Sequence, residues 1–470
     1  MRKFAAVFSI CFVLILCCVG LAGAEIIEGK ANSAGTVTWQ FDTDTGNVVV
    51  SGTGKMENWT LIYNTSWRDY NEEFVHAEIG NGVTEICDSA FSSCTNLTSI
   101  TIPNSVTKIG SSAFYGCTAL TQMTIPGSVA SMGNNIFEGC TGLSSVTMQS
   151  GVTSIGYNAF SRCASLTSIT IPNTVTSLGS SAFSNCTALT SVTLSSSLTA
   201  IADYTFNSCS NLAGITIPSS VTSIGRMAFY CCSKLANVTI SNGVTSIGND
   251  SFGGCTSLTS ITIPNSVTTI GSSAFSGCSA LTSVAISSGV TTIGSSAFSD
   301  CSALTNITLP NSVTSIGAYA FNGCTNLANI TLSNGITSIE DCTFQNCEKL
   351  TSIVIPNGVT SLGGWVFNNC YSLSSISIPS SVTTISEEPL GWNTSIQNIY
   401  VESISTLFLE NLDFGYTEKQ RNLYVNGSLL TDLVIRNEDN ITSIPGGIFS
   451  GLACLKTVTL SNNITTIGNS

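Results

Sequence analysis

Twenty cysteines and a single histidine, His76, stand out in this 470-residue chain as the residues that could do chemistry. Cysteine could bind metal, form disulfides or act as a nucleophile. Thirteen of the cysteines, from Cys94 and Cys117 through to Cys347 and Cys370, recur at one constant interval of 23. A zinc site needs ligand pairs only about two to four residues apart. Stacked at the spacing of neighbouring strands, successive members would lie about 5 Å apart, inside the Cα range of disulfides. Stacked side chains point in parallel, however, and cysteine packs as a small hydrophobe. The expectation is a ladder of buried free thiols, with Cys163, Cys186 and Cys278 among them. Export would ordinarily favour disulfides; a reducing or anaerobic setting removes the conflict.

The remaining chemistry is sparse. One histidine excludes a His-rich zinc site and confines any Ser-His-Asp arrangement to His76. No Cys or Ser stands beside it, and it reads as a surface residue. Gly52-Thr53-Gly54 lacks the lysine and helix start of a phosphate loop and reads as a turn. The acidic run from Asp42 to Gly46 resembles the start of a calcium loop, but its twelfth position is Thr53 rather than glutamate, so a hairpin turn is expected. Glu387 and Glu388 read as a solvated loop. No constellation for an enzyme survives, and no cofactor or metal is expected. With 27 acidic against 14 basic residues the net charge is −13, which disfavours a nucleic-acid partner.

The elements that hold the cysteines are read from the repeat. Phenylalanine recurs at 91, 114, 137, 160, 183, 206, 229, 252, 275, 298, 321, 344 and 367 without one insertion. Cys follows three positions later and Leu six positions later in every unit. Within one unit, Leu258, Ile261 and Ile263 precede Pro264 as a short strand. Proline closes it, because it cannot donate a further ladder bond. Val267 and Ile270 form a second inward pair, Gly271 turns the chain, and Ala274 and Phe275 open a short turn or 3₁₀ segment. One coil cannot bury this apolar set; stacked coils can. Phe229, Phe275 and Leu258 are accordingly core residues. The fold class expected is a solenoid with a parallel β-sheet on one face and short turns, 3₁₀ or loop on the other.

Leu258, Ile261, Ile263, Pro264, Ser266, Val267, Ile270, Gly271, Ala274, Phe275 and Cys278 match, position by position, a pattern that resembles the BspA-type leucine-rich repeat. The resemblance implies the leucine-rich-repeat fold and an exported surface protein that binds other cells, matrix proteins or glycoproteins.

Outside the strict repeat the chain divides further. Residues 1–24 carry Arg2 and Lys3, an apolar run from Phe4 to Leu21, and small residues Ala22, Gly23 and Ala24. They read as a cleaved signal peptide, an uncleaved anchor being the alternative. Residues 25–82 hold three of the five tryptophans (Trp39, Trp59, Trp67) and read as a β-hairpin cap over the first coil. The solenoid proper is 83–386. Residues 387–429 read as an irregular insertion, in which one strand with Ile396, Ile399 and Val401 still fits. Ile404, Leu407 and Phe408 share a helical face there. Repeats resume over 430–470 and stop in mid-pattern, which implies either a truncated sequence or an end covered by a partner. Between 91 and 386 there are 7 acidic and 5 basic residues, so the solenoid surface is neutral and the ends are acidic.

The binding expectation falls on the polar face of the strands: Ser168, Thr170, Ser191, Thr193, Thr216, Thr239, Ser260 and Thr262. Trp365, Trp392 and Tyr400 add aromatic groups near the C-terminal end. A regular uncharged face suits a protein or glycoprotein surface. The function expected is an adhesion or protein-binding scaffold, secreted or at the cell surface. Its partners would be extracellular proteins or glycoproteins of another cell or host, with no membrane insertion after signal cleavage. The alternative is a passive surface coat whose Ser/Thr face packs on itself or orders water.

Overall fold

The structure, a computed structural model, describes residues 25–58, 67–391, 393, 395–409, 412, 420–446 and 448–468. The leader expected over 1–24, together with Trp59 and Trp392, lies outside them. The chain winds into a β-solenoid with three sides. One side is a row of parallel strands of three or four residues. Ser168–Thr170 pairs with Ser191–Thr193, and Gly214–Ile217 with Asn237–Ile240. Each register partner is the equivalent residue of the next coil, so Ser168 faces Ser191 and Thr216 faces Thr239. Alternation sends Ile169 and Ile215 inward and Thr170 and Thr216 outward.

The second side is a further row of parallel strands, two residues each, such as Ser246–Ile247, Thr269–Ile270 and Thr292–Ile293. The sequence marks Ile270 as an inward residue but not as a strand. Its strand is too short to alternate and exists only through pairing with its neighbours. The third side consists of turns. Among the described residues, 3₁₀ helix occurs only at Trp67–Tyr70, Ile404–Phe408 and Asn437–Asp439, outside the strict coils. Each turn has two left-handed residues flanking the phenylalanine, for example Ser273 at φ 54° and Gly277 at φ 70°. This places the Phe275 N–H against the Ala297 carbonyl of the next coil at 2.8 Å.

The core is continuous. Phe229, Phe275, Leu258, Cys163, Cys186 and Cys278 are fully buried. Thirteen phenylalanine rings stack with centroids 5.1 to 5.7 Å apart and planes within 16°, an offset stacking favoured by the ring quadrupole. Trp67 of the cap extends this stack, 4.9 Å from Phe91, and its indole N–H donates to the Ala90 carbonyl. The cap itself is a meander. Ile26–Lys30 pairs antiparallel with Val37–Asp42, which pairs antiparallel with Asn47–Gly52, and that strand joins His76–Ile79 in parallel. The acidic run is the hairpin turn: Asp42 Oδ1 accepts the amides of Asp44 and Thr45.

Proline imposes a second, longer period on the first row. Pro126, Pro172, Pro218, Pro264, Pro310 and Pro356 close every second strand, and Gln149, Ser195, Ser241, Ser287 and Ser333 close those between. Ser241 donates its N–H to the Ile217 carbonyl and Ser287 to that of Ile263. Proline has no such proton. The row therefore breaks ahead of Pro126, Pro172, Pro264, Pro310 and Pro356, and narrows to the single pair Ser191 and Gly214 ahead of Pro218. Pro103 and Pro379 are exceptions, their strands staying paired with the preceding coil. Packing loosens in step: Val146 and Val284 keep 8% and 9% exposure where Ile169 and Ile261 keep 3%.

Beyond Ile385 the coil pattern persists under different residues. Leu390 is buried where phenylalanine is due, Asn393 where cysteine is due, and Ile396 where leucine is due. The stretch expected to be irregular, 387–429, thus contains two strands of the row, Asn398–Val401 and Asn422–Val425, the second displaced by one extra residue. The expected short helix is a 3₁₀ turn, Ile404–Phe408, with Ser403 at its N-cap accepting the Ser405 amide. Arg421 is buried there and donates to the Ile396 and Ser450 carbonyls. No helix among the described residues is long and apolar enough to cross a membrane.

Candidate functional site: the strand face

The outward residues of the first strand row form columns, one residue per coil. One runs through Thr147, Thr170, Thr193, Thr216, Thr239 and Thr262, and beside it run Ser145, Ser168, Ser191, Ser260 and Ser283. All eight hydroxyl residues expected to bind are exposed on this face. No strand of the row between Ser99 and Ile378 carries a charged residue. Gly214 interrupts the serine column, and a depression of about 490 Å³ lies around it, lined by Thr193, Thr216, Asn237 and Thr239.

The aromatic expectations divide. Tyr400 is on the strand face, in register with Ser377, and its ring stacks on Tyr424 at 4.6 Å. Tyr424 was missed because it follows Tyr400 at one position more than the repeat interval. Trp365 is not on this face. It occupies a left-handed turn position at φ 52°, half-exposed, with its amide donating to Glu387. A bulky residue held there costs on the order of 1–2 kcal/mol.

His76 has a neighbour that the linear sequence hides. Stacking brings Ser99 Oγ to 2.8 Å and Thr98 Oγ1 to 3.2 Å from its Nδ1. The expectation that no serine lies beside it holds along the chain and fails across coils. The pair sits on an open sheet, and no acidic group bonds Nε2 among the described residues.

The thiols face inward. From Cys117 to Cys370, each ladder Sγ–H donates to the phenylalanine carbonyl of the preceding coil at 3.0 to 3.3 Å. Burial pushes the Cys186 and Cys278 thiols up to about 12, where thiolate nucleophilicity is out of reach at neutral pH.

The profile of the BspA type leucine rich repeat region (6 copies) matches residues 61–190, 176–305, 291–419 and 417–470. A comparison with curated proteins finds no match. Among solved structures, a leucine-rich repeat protein from Bacteroides ovatus is 27% identical, with 82% of this chain and 98% of that one covered at a TM-score of 0.65. A leucine rich cell surface protein from Faecalibacterium prausnitzii is 25% identical over 92% of this chain and 95% of that one, at a TM-score of 0.44. With its stacked coils, its Phe-Cys-Leu core and a profile match over most of its length, the chain belongs to the BspA-type leucine-rich-repeat family.

Proposed function

We propose that the protein is an exported adhesion or protein-binding scaffold that works at the cell surface and engages extracellular proteins or glycoproteins through its strand face. The observation that carries this reading is the long, uncharged array of hydroxyls that repeats coil by coil. It can accept and donate hydrogen bonds over many coils without a charge to exclude a neutral partner. Family membership and the leader-like segment 1–24 support the same reading. The passive-coat alternative requires a flat face.

The test is binding of the full chain to matrix proteins and cell-surface glycoproteins by surface plasmon resonance. Contacts spread over coils make Thr216→Lys a modest loss, whereas Thr193→Lys, Thr216→Lys and Thr239→Lys together abolish binding, since like charges on adjacent strands repel. Full binding by a folded triple variant rejects the strand face as the site.

A further inference from the structure

The longer proline period leaves a chemical trace on the strand face. Pro172, Pro218, Pro264, Pro310 and Pro356 face the carbonyls of Met148, Leu194, Ile240, Ile286 and Leu332 but have no N–H to give. Among the described residues no other donor reaches these five carbonyls. The face opens at such junctions. One cleft, the depression beside Gly214, includes Leu194 and Pro218 in its lining. A second, of about 290 Å³, lies one period earlier and is lined by Met148, Val146, Ser168 and Thr170. Each of these two clefts thus combines an unpaired acceptor with flanking hydroxyls, and the first adds the partly buried Val192 and Leu194. Two coils separate one junction from the next, about 9.6 Å at ideal strand spacing and somewhat more where the strands are not hydrogen-bonded.

We propose that these junctions are a ruler for an extended peptide in the polyproline II conformation, lying along the solenoid axis. The inference rests on the strand face being the protein-binding face. A polyproline II helix has three residues per turn and advances about 9.3 Å per turn, so it presents the same side at nearly the spacing of the junctions. Its backbone makes no internal hydrogen bonds, which leaves one N–H per turn for each free carbonyl when every third residue is not proline. The remaining prolines supply apolar surface for the partly buried Val192 and Leu194 beside the first cleft. Charge is complementary as well: the carbonyls carry partial negative charge on a face without formal charges, which suits a neutral donor-bearing chain. A β-strand ligand repeats at about 6.7 Å and falls out of phase.

The probe is a synthetic peptide of five Ala-Pro-Pro triplets, titrated calorimetrically into the full chain. The expected result is saturable binding that weakens at least tenfold when the repeat is lengthened to Ala-Pro-Pro-Pro. Replacing Pro172→Ser, Pro218→Ser, Pro264→Ser and Pro310→Ser restores four N–H donors with a residue that the alternate coils already use. That variant should bind the triplet peptide at least tenfold more weakly while keeping its circular dichroism spectrum. Equal affinity for both peptides, unchanged affinity of the serine variant, or binding of cellohexaose in place of the peptide overturns the ruler. If the peptide fails while a matrix protein still binds and the triple lysine variant loses it, the ruler is wrong and the strand-face reading stands; if the lysine variant keeps that protein, both fall.

Discussion

The side-chain amide of Asn393 donates to the carbonyl of Phe367, the same bond that every ladder thiol from Cys117 to Cys370 makes to the phenylalanine one coil earlier. Asparagine stands in for the thiol in this bond, and its second amide proton donates to the Leu390 carbonyl, a bond that a thiol cannot make. A thiol has little further demand, whereas the buried Asn393 Oδ1 finds no partner among the described residues. Asn393→Cys keeps the bond to Phe367, removes the orphan and gives up the bond to Leu390, so it should stabilise the C-terminal coils by about 1 kcal/mol. Hydrogen exchange of the Ile396 to Val401 amides measures this, and slower exchange is the expected outcome.

The thiols should be inert in the folded state. Cys163, Cys186 and Cys278 are expected to resist iodoacetamide natively and to be fully alkylated in denaturant without reductant, as read by intact mass. Several disulfides in that mass would refute the free ladder.

Alkaline pH should unfold the protein. Burial raises the Cys278 thiol from an ordinary 9.0 to about 12, and Cys186, Cys324 and Cys370 likewise. The folded state then keeps protons that the unfolded state releases. Stability is therefore complete below about pH 9 and declines between pH 9 and 12. Denaturation midpoints by circular dichroism across that window give the slope. Deleting thiols by Cys186→Ala and Cys278→Ala should flatten it.

Phe229 stacks between Phe206 at 5.4 Å and Phe252 at 5.1 Å. Phe229→Ala should cost about 3–5 kcal/mol, the usual range for a buried aromatic. Because coils couple chiefly to neighbours, the loss should remain local and make unfolding multistate. Hydrogen exchange that accelerates near residues 206–252 and not at the cap is the expected pattern; a uniform change over all coils contradicts it.

The Tyr400 and Tyr424 stack offers the aromatic anchor that hot spots often use. If binding resides on the hydroxyl columns, Tyr400→Ser with Tyr424→Ser changes affinity less than threefold. A complete loss in that double variant, beside an intact response in the triple lysine variant, would move the site to the C-terminal end.

The solenoid, its constant coil length and the burial of Phe229, Cys278 and Leu258 were legible in the sequence, because one local pattern repeated thirteen times leaves stacking as the only way to cover its apolar side. The exposure of Thr193 and Thr216 followed from strand alternation. Other features depended on which groups meet across coils. Ser99 reaches His76 only because their strands pair in register, and Tyr424 meets Tyr400 across a coil that is one residue longer. Trp365 leaves the strand face because its position falls in a left-handed turn. The carbonyls of Met148 and Leu194 stay open because Pro172 and Pro218 have no N–H, and a missing donor acts on the carbonyl of another coil. Local patterning determines which side each residue faces; only the stacked structure decides whose hydrogen bond it completes or leaves open.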